Sequence, residues 1–278
     1  MRFALLGSGS GGNALVVEQG TTRLLVDCGF GARALRQRLE RLSLSEAMLT
    51  AIVLTHEHSD HVAGAWQLAR KHDLPVYLTH GTRRGLPPCS EASPRCIEID
   101  SHRPFVIGDL HVQPFPVPHD AHEPVQYVFG NGQERLGLLT DIGHVTQHVR
   151  RTLEGCQALI LECNHDRALL ADGPYHARLK ARIRGDYGHL DNAASAALLA
   201  ELAHPGLRHV VAAHLSRANN RPELARAALA GALGCAQDDI DVADQDDGLA
   251  RVPMNAAHRE YSLRPAAQAS AMADEAYA

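Results

Sequence analysis

Four side chains in the run Thr55-His56-Glu57-His58-Ser59-Asp60-His61 have the chemistry of metal ligands. Imidazole nitrogens and a carboxylate suit zinc, manganese or iron. The run follows an apolar stretch, Ala51-Ile52-Val53-Leu54, which reads as a buried strand. Residues two apart in an extended segment lie on the same side, so His56 and His58 share a direction. Asp60 and His61 then open a helix whose first turn carries them toward the same region. Together these donors can serve two adjacent ions. A chance cluster on a polar loop would account for one His-x-His pair more readily than for the whole set directly after a strand.

Other residues invite related chemistry. Eighteen histidines outnumber the one Trp, five Phe and six Tyr together, which directs attention to metal and proton-transfer roles. The glycine-rich run Leu6-Gly7-Ser8-Gly9-Ser10-Gly11-Gly12-Asn13 could offer backbone N–H groups, with Ser8, Ser10 and Asn13, to phosphate oxygens. A plain hairpin loop explains it equally well. Arg178, Lys180, Arg182 and Arg184 place positive charge on a broad sector of one helix, suited to tracking a nucleic-acid backbone or simply to facing water. Tyr187 could stack on a base. All but Lys71 and Lys180 of the 27 basic residues are arginines. The guanidinium fork matches phosphate, although codon bias gives the same composition.

These residues need a scaffold. At 278 residues the chain has the length of one large domain or two small ones, and 45% hydrophobic with 21% charged residues is a globular balance. Strands are expected at 2–6, 14–18, 23–27, 51–54, 75–79, 104–107, 110–115, 125–130, 135–140, 157–162, 208–213 and near 240–243. Helices are expected at 32–42, 62–72, 145–153, 176–184, 192–203 and 222–233. No sequence repeat or linker divides them. The pattern predicts one layered α/β domain over 1–264, two mixed β-sheets face to face with helices outside, and a flexible tail at 265–278. The cysteines at 28, 89, 96, 156, 163 and 235 form no Cys-x-x-Cys pair and read as reduced thiols of a cytoplasmic protein, although Cys89 and Cys96 flank a loop they could bridge. No apolar run suggests a membrane span, and the N-terminus reads as a strand and loop. A net charge of −5 argues against a broadly basic nucleic-acid binder.

The spacing His56-x-His58-x-Asp60-His61 resembles the signature of the metallo-β-lactamase superfamily. That resemblance implies an αβ/βα four-layer sandwich with a metal site at one edge of the sheets. It also implies three further ligands. His119 in Pro118-His119-Asp120, Asp141 after Leu138-Leu139-Thr140, and His214 after Val210-Val211-Ala212-Ala213 stand where they are expected. The implied centre has His56, His58 and His119 on one ion and Asp60, His61 and His214 on the other. Asp141 bridges them, and Asp27 supports the ligand histidines from behind. Two divalent ions, zinc or manganese with iron as a third option, would hold a hydroxide nucleophile, making Asp60 and Asp141 catalytic as well as ligating.

Ribonuclease Z-like phosphodiesterases of this superfamily use a non-ligand histidine to protonate the leaving oxygen, and His189 falls in the corresponding interval. It could instead be only a helix-start residue. Four motifs resemble a narrower group, the YycJ/WalJ-type proteins: the glycine-rich loop, Leu161-Glu162-Cys163-Asn164-His165-Asp166, Gly188-His189-Leu190-Asp191-Asn192 and His214-Leu215-Ser216-Arg217-Ala218-Asn219-Asn220. Asp191 departs from the small polar residue expected there. This resemblance implies a DNA exonuclease working 5′ to 3′ on single-stranded or nicked DNA. His165, Asn192, Ser216, Asn219 and Asn220 are then candidate substrate contacts, with Arg217 near them. Glu162 reads as strand-end packing. The alternatives are a thioester hydrolase of glyoxalase II type, a small-molecule cyclic phosphodiesterase, and a non-enzymatic, metal-stabilised scaffold partner. No membrane partner is expected, and a homo-oligomer is left open.

Overall fold

Period-two alternation of apolar residues decides the architecture. In the strand Ala14–Gln19, Leu15 and Val17 pack toward one cluster while Ala14 and Val16 pack toward another, so the sheet that contains it is buried on both faces. The computed structural model describes residues 1–86, 94–255 and 261. The first half supplies β1 (Arg2–Gly7), β2 (Ala14–Gln19), β3 (Thr22–Val26), β4 (Ala51–Val53), β5 (Val76–Thr79) and β6 (Cys96–Ile99). The second supplies β7 (Phe105–Ile107), β8 (Leu110–Pro116), β9 (Val125–Gly130), β10 (Arg135–Leu139), β11 (Ala158–Glu162), β12 (His209–Ala213) and β13 (Asp241–Val242). A final strand, β14 (Leu249–Pro253), returns to pair antiparallel with β1.

One sheet has the order β14-β1-β2-β3-β4-β5-β6 and the other β13-β12-β11-β10-β9-β8-β7. Each begins as an antiparallel meander and continues with parallel strands. Although the sequence shows no repeat, the pairing pattern is thus used twice. Between the sheets lie Phe3, Leu24, Val53, Tyr127, Phe129 and Ile160. Truncating any of these fully buried side chains to alanine is expected to cost about 2–5 kcal/mol. Helices Ala32–Arg41 and Ala65–His72 cover the outer face of the first sheet. Gln147–Leu153, Asn192–Leu202 and Pro222–Leu233 cover that of the second. This is the expected four-layer α/β sandwich.

Some expectations need correction. The helix expected at 62–72 is two, Ser59–Val62 and Ala65–His72. The chain between them is pinned to the end of β3, since Cys28 N donates to His61 O and Gly64 N donates to Cys28 O. Strands β6 and β14 went unforeseen because Glu98 and Arg251 interrupt their apolar runs. The short helix Arg167–Asp172 was also missed; Asp166 caps it by accepting from Ala168 N and Leu169 N. Cys89 and the tail at 265–278 lie outside the described residues. Among the described residues no helix is long and apolar enough to cross a membrane.

Candidate metal centre

The candidate ligands gather at one edge of the sandwich, where strands end. Asp27 follows β3, Thr55 to His58 follow β4, His119 lies beyond β8, Asp141 beyond β10, and His214 follows β12. Asp27, Asp141 and His214 have left-handed backbones, with φ of 60°, 52° and 56°. Asp and His are among the residue types that adopt this region. Gly29 makes room for the neighbouring Asp60, because a Cβ there would lie 1.8 Å from the Asp60 carbonyl oxygen.

The hydrogen bonds assign one nitrogen of each imidazole and leave the other for the centre. His61 Nδ1 lies 2.8 Å from Asp27 Oδ2, His214 Nδ1 2.8 Å from Glu162 Oε1, His119 Nδ1 3.1 Å from Gly188 O, and His56 Nδ1 3.0 Å from Thr55 Oγ1. His58 is reversed, with Nε2 3.2 Å from Asp120 O. The remaining nitrogens converge. His58 Nδ1 and His119 Nε2 are 3.3 Å apart, and His61 Nε2 lies 3.3 Å from Asp141 Oδ2 and 3.4 Å from Asp60 Oδ2. Such outer hydrogen bonds fix ring orientation and tautomer in metal sites. His56, His58 and His119 form one compact donor group, and Asp60, His61 and His214 another. Asp141 groups with His56 and His61 between them.

The fit to a cation is tested by what lacks a partner. His56 Nε2, His214 Nε2 and Asp141 Oδ2 are buried without a hydrogen bond. Buried polar atoms left so are costly; a cation at the first donor group would satisfy His56 Nε2, one at the second His214 Nε2, and either could meet Asp141 Oδ2. Charge is equally concentrated. Burial disfavours the carboxylate of Asp141, yet His214 and His61 hold its pKa well below the ordinary value. Burial likewise opposes charge on His214, but Asp141, Asp60 and Glu162 raise its pKa to about 10. Burial keeps that of His56 well below the usual imidazole range.

Glu162 corrects the sequence reading. It is not packing at a strand end but the hub of the second half of the site. Fully buried at the end of β11, it lies 2.8 Å from His214 Nδ1 and 2.9 Å from His189 Nδ1. It also accepts from the backbone N–H groups of Asp141, Ile142 and Leu190. Burial raises its pKa, but His189 and His214 outweigh that and bring it to about 2. His189 itself is desolvated, yet Glu162 and Asp141 hold its pKa above the ordinary histidine value. Its ring lies 5.3 Å from those of both His119 and His214. Gly188 permits this placement: a Cβ there would meet Ile183 O at 2.2 Å, and His189 N donates to that same oxygen.

The candidate substrate contacts divide. Ser10 and Ser216 line a cavity with Asn164, Arg182 and His189. Ser8 is buried and accepts from His214 N. Asn13 Nδ2 lies 3.1 Å from His61 Nε2 and 3.3 Å from Asp60 Oδ2. The loop amides expected to meet phosphate are largely engaged within the protein: Ser8 N, Gly9 N, Gly11 N and Gly12 N donate to Asp244 O, Asn13 Oδ1, Gln245 Oε1 and Gly9 O. Asn192 and Asn220 pair their side-chain amides reciprocally at 2.9 and 2.8 Å, and Asn219 is buried against Ser216. His165 is buried beside a second cavity. Arg217 is tied to Asp246. The helix Ala177–Arg184 buries none of its residues, and Tyr187 after it is 62% exposed.

This fold and edge-bound donor set define a metallohydrolase-type scaffold. A family model described as a beta-lactamase superfamily domain matches residues 22–215, and the chain belongs to the metallo-β-lactamase superfamily. It is 37% identical over 239 residues to a protein named exodeoxyribonuclease YycJ from Bacillus anthracis, covering 84% of this chain and 89% of that protein. It is 33% identical over 249 residues to exodeoxyribonuclease WalJ from Streptococcus pneumoniae, covering 87% and 90%. Among solved structures, zinc-bound PqqB from Methylobacterium extorquens superposes with a TM-score of 0.71 at 20% identity, over 91% of this chain and all of that one. The short form of human tRNase Z gives 0.63 at 17% identity, over 91% and 99%. At these identities the structural matches speak for the fold alone.

Proposed function

We propose that this chain is a metal-dependent exodeoxyribonuclease that degrades DNA from the 5′ end, on single strands or at nicks, with two divalent ions. The observation that carries the reading is the Glu162–His189 pair, 2.9 Å apart, placed beside seven convergent donors in a chain resembling two named exodeoxyribonucleases across most of its length. His56, His58 and His119 would hold one ion, Asp60, His61 and His214 the other, with Asp141 between them. Bound there, the ions supply a nucleophilic water of lowered pKa and neutralise charge on the phosphate.

The protein's own groups do the rest. Asp27, Thr55 and Glu162 hold the ligand imidazoles in one tautomer and one orientation. His189 engages Glu162 through Nδ1, so Nε2 is the atom that gives its proton to the leaving alkoxide. A thiolate leaves without that proton, which favours a phosphodiester over the thioester substrate of a glyoxalase II-type enzyme. Ser10, Ser216 and Arg182 border the cavity at His189 and are placed to meet the substrate backbone. The overall charge of −5 does not oppose this, since two divalent ions add about four positive charges locally.

End-labelled single-stranded and nicked DNA, incubated with the protein and manganese or zinc, tests the reading. A 5′ label should appear first as mononucleotide, and His189→Ala should slow cleavage by about 10²–10⁴-fold. Hydrolysis of acyl-glutathione without DNA cleavage would overturn it.

A further inference from the structure

His189 stands between two cavities and, among the described residues, is the one that lines both. The first holds Ser10, Arg182, Ser216 and Asp120, whose carboxylate lies 3.4 Å from His119 Nε2. The second, about 310 Å³, is bordered by Gly143, His165, Arg167, Arg184, Asp191 and Ala194, with none of the seven metal donors in its wall.

The chemistry proposed above gives that second cavity a task. In hydrolysis from a 5′ end, the water oxygen bonds to phosphorus and the P–O3′ bond breaks. The proton from His189 goes to that O3′, which belongs to the terminal nucleotide. The terminal nucleotide is therefore the leaving group, and it must lie against His189. Its other end carries the 5′-phosphate, so an anion site is needed about one nucleotide away from the proton donor.

The second cavity has the composition of such a site. Arg184 is exposed and makes no ion pair among the described residues. The one carboxylate in the wall among the described residues, Asp191, is already engaged: it binds Arg167 Nε at 2.7 Å and accepts from Ala194 N at 2.9 Å. His165 is 1% exposed, and its Nδ1 has no hydrogen-bond partner. A cavity of this size is at the small end of the range for small-molecule sites, which suits one nucleotide rather than a longer stretch of strand.

We propose that this cavity receives the 5′-phosphate of the terminal nucleotide, with Arg184 and Arg167 as its cationic partners and His165 as a hydrogen-bonding wall. The proposal rests on the 5′-end reading above. It also accounts for successive cuts, because breaking P–O3′ leaves a 5′-phosphate on the shortened strand. Each product end is then again the ligand of the cavity.

The test has two arms. In calorimetry on the metal-free full-length chain, thymidine 5′-monophosphate should bind about tenfold or more tighter than thymidine, and Arg184→Gln should remove most of the difference. Arg184→Lys should restore part of it. With manganese, 5′-phosphorylated oligonucleotides should show kcat/KM about tenfold above their 5′-hydroxyl counterparts, a ratio that Arg184→Gln should bring toward one. Equal binding of nucleoside and nucleotide, or a ratio unchanged in Arg184→Gln, overturns the site. Degradation from the 3′ end overturns both the site and the polarity. Absence of any DNA cleavage overturns the nuclease reading, and the calorimetric arm then decides the cavity by itself.

Discussion

The two halves of the molecule run through the same strand pairings, yet they support the candidate metal centre in different ways. The last meander strand of the first half, β3, is followed by Asp27; that of the second half, β10, by Asp141. Both residues have left-handed backbones, but Asp27 stands behind His61 and Asp141 stands among the donors. The supporting carboxylate of the second half is displaced by one strand, to Glu162 at the end of β11. Asp27 serves one imidazole and both the N–H and hydroxyl of Thr55. Glu162 serves two imidazoles and three backbone N–H groups. A strand end thus delivers either a candidate ligand or the group that aims it, and the more connected support lies in the half that also carries the proposed proton donor, His189.

This contrast orders the expected effects of mutation. The largest follows from Glu162→Ala, which strands five donors at once in a buried place. It should lower unfolding free energy by about 3–5 kcal/mol in urea denaturation. A loss below 1 kcal/mol would show that Glu162 is no hub. Next comes Asp27→Asn, which keeps the shape but not the charge behind His61. Metal affinity, measured by titration calorimetry, should fall about 10–100-fold, and unchanged affinity would break the proposed parallel between Asp27 and Glu162.

The smallest effect sharpens the comparison by leaving the site alone. Glu18, also buried in the first half, binds Arg2, Arg23 and Arg251 at 3.0, 3.1 and 2.7 Å. Glu18→Gln should cost about 1–2 kcal/mol of stability and leave metal affinity untouched. Burial opposes its charge, but Arg2 and Arg251 hold its pKa below the ordinary 4.5. Its contribution is therefore complete above that value and is lost as pH falls through the lower folded value. The stability gap between wild type and Glu18→Gln should close on acidification, and a gap that widened instead would contradict the assignment.

Much of this was legible in the sequence because the information is local. The run from His56 to His61 carries four donors within six residues, and its preceding strand declares itself by composition. Asp27, His119, Asp141 and His214 each close or follow an apolar run, so a known pattern of ligands finds them. Glu162 also ends such a run, yet its imidazole partners are 27 and 52 residues away and the sequence gives no sign of them. The glycine-rich loop shows the opposite limit. Its local composition is equally compatible with free amides and with a plain hairpin; Asp244 and Gln245, more than 230 residues later, engage Ser8 N and Gly11 N, and Asn13 and Gly9 engage the amides of Gly9 and Gly12. The doubled strand pattern was invisible because pairing direction leaves no repeat in side-chain identity.

The most direct measurement is metal stoichiometry by equilibrium dialysis at saturating manganese or zinc, on wild type and His58→Ala. The account predicts two ions per wild-type chain and one tightly held ion in the variant. At most one ion in the wild type, or an unchanged pair of equal affinity in His58→Ala, would contradict it.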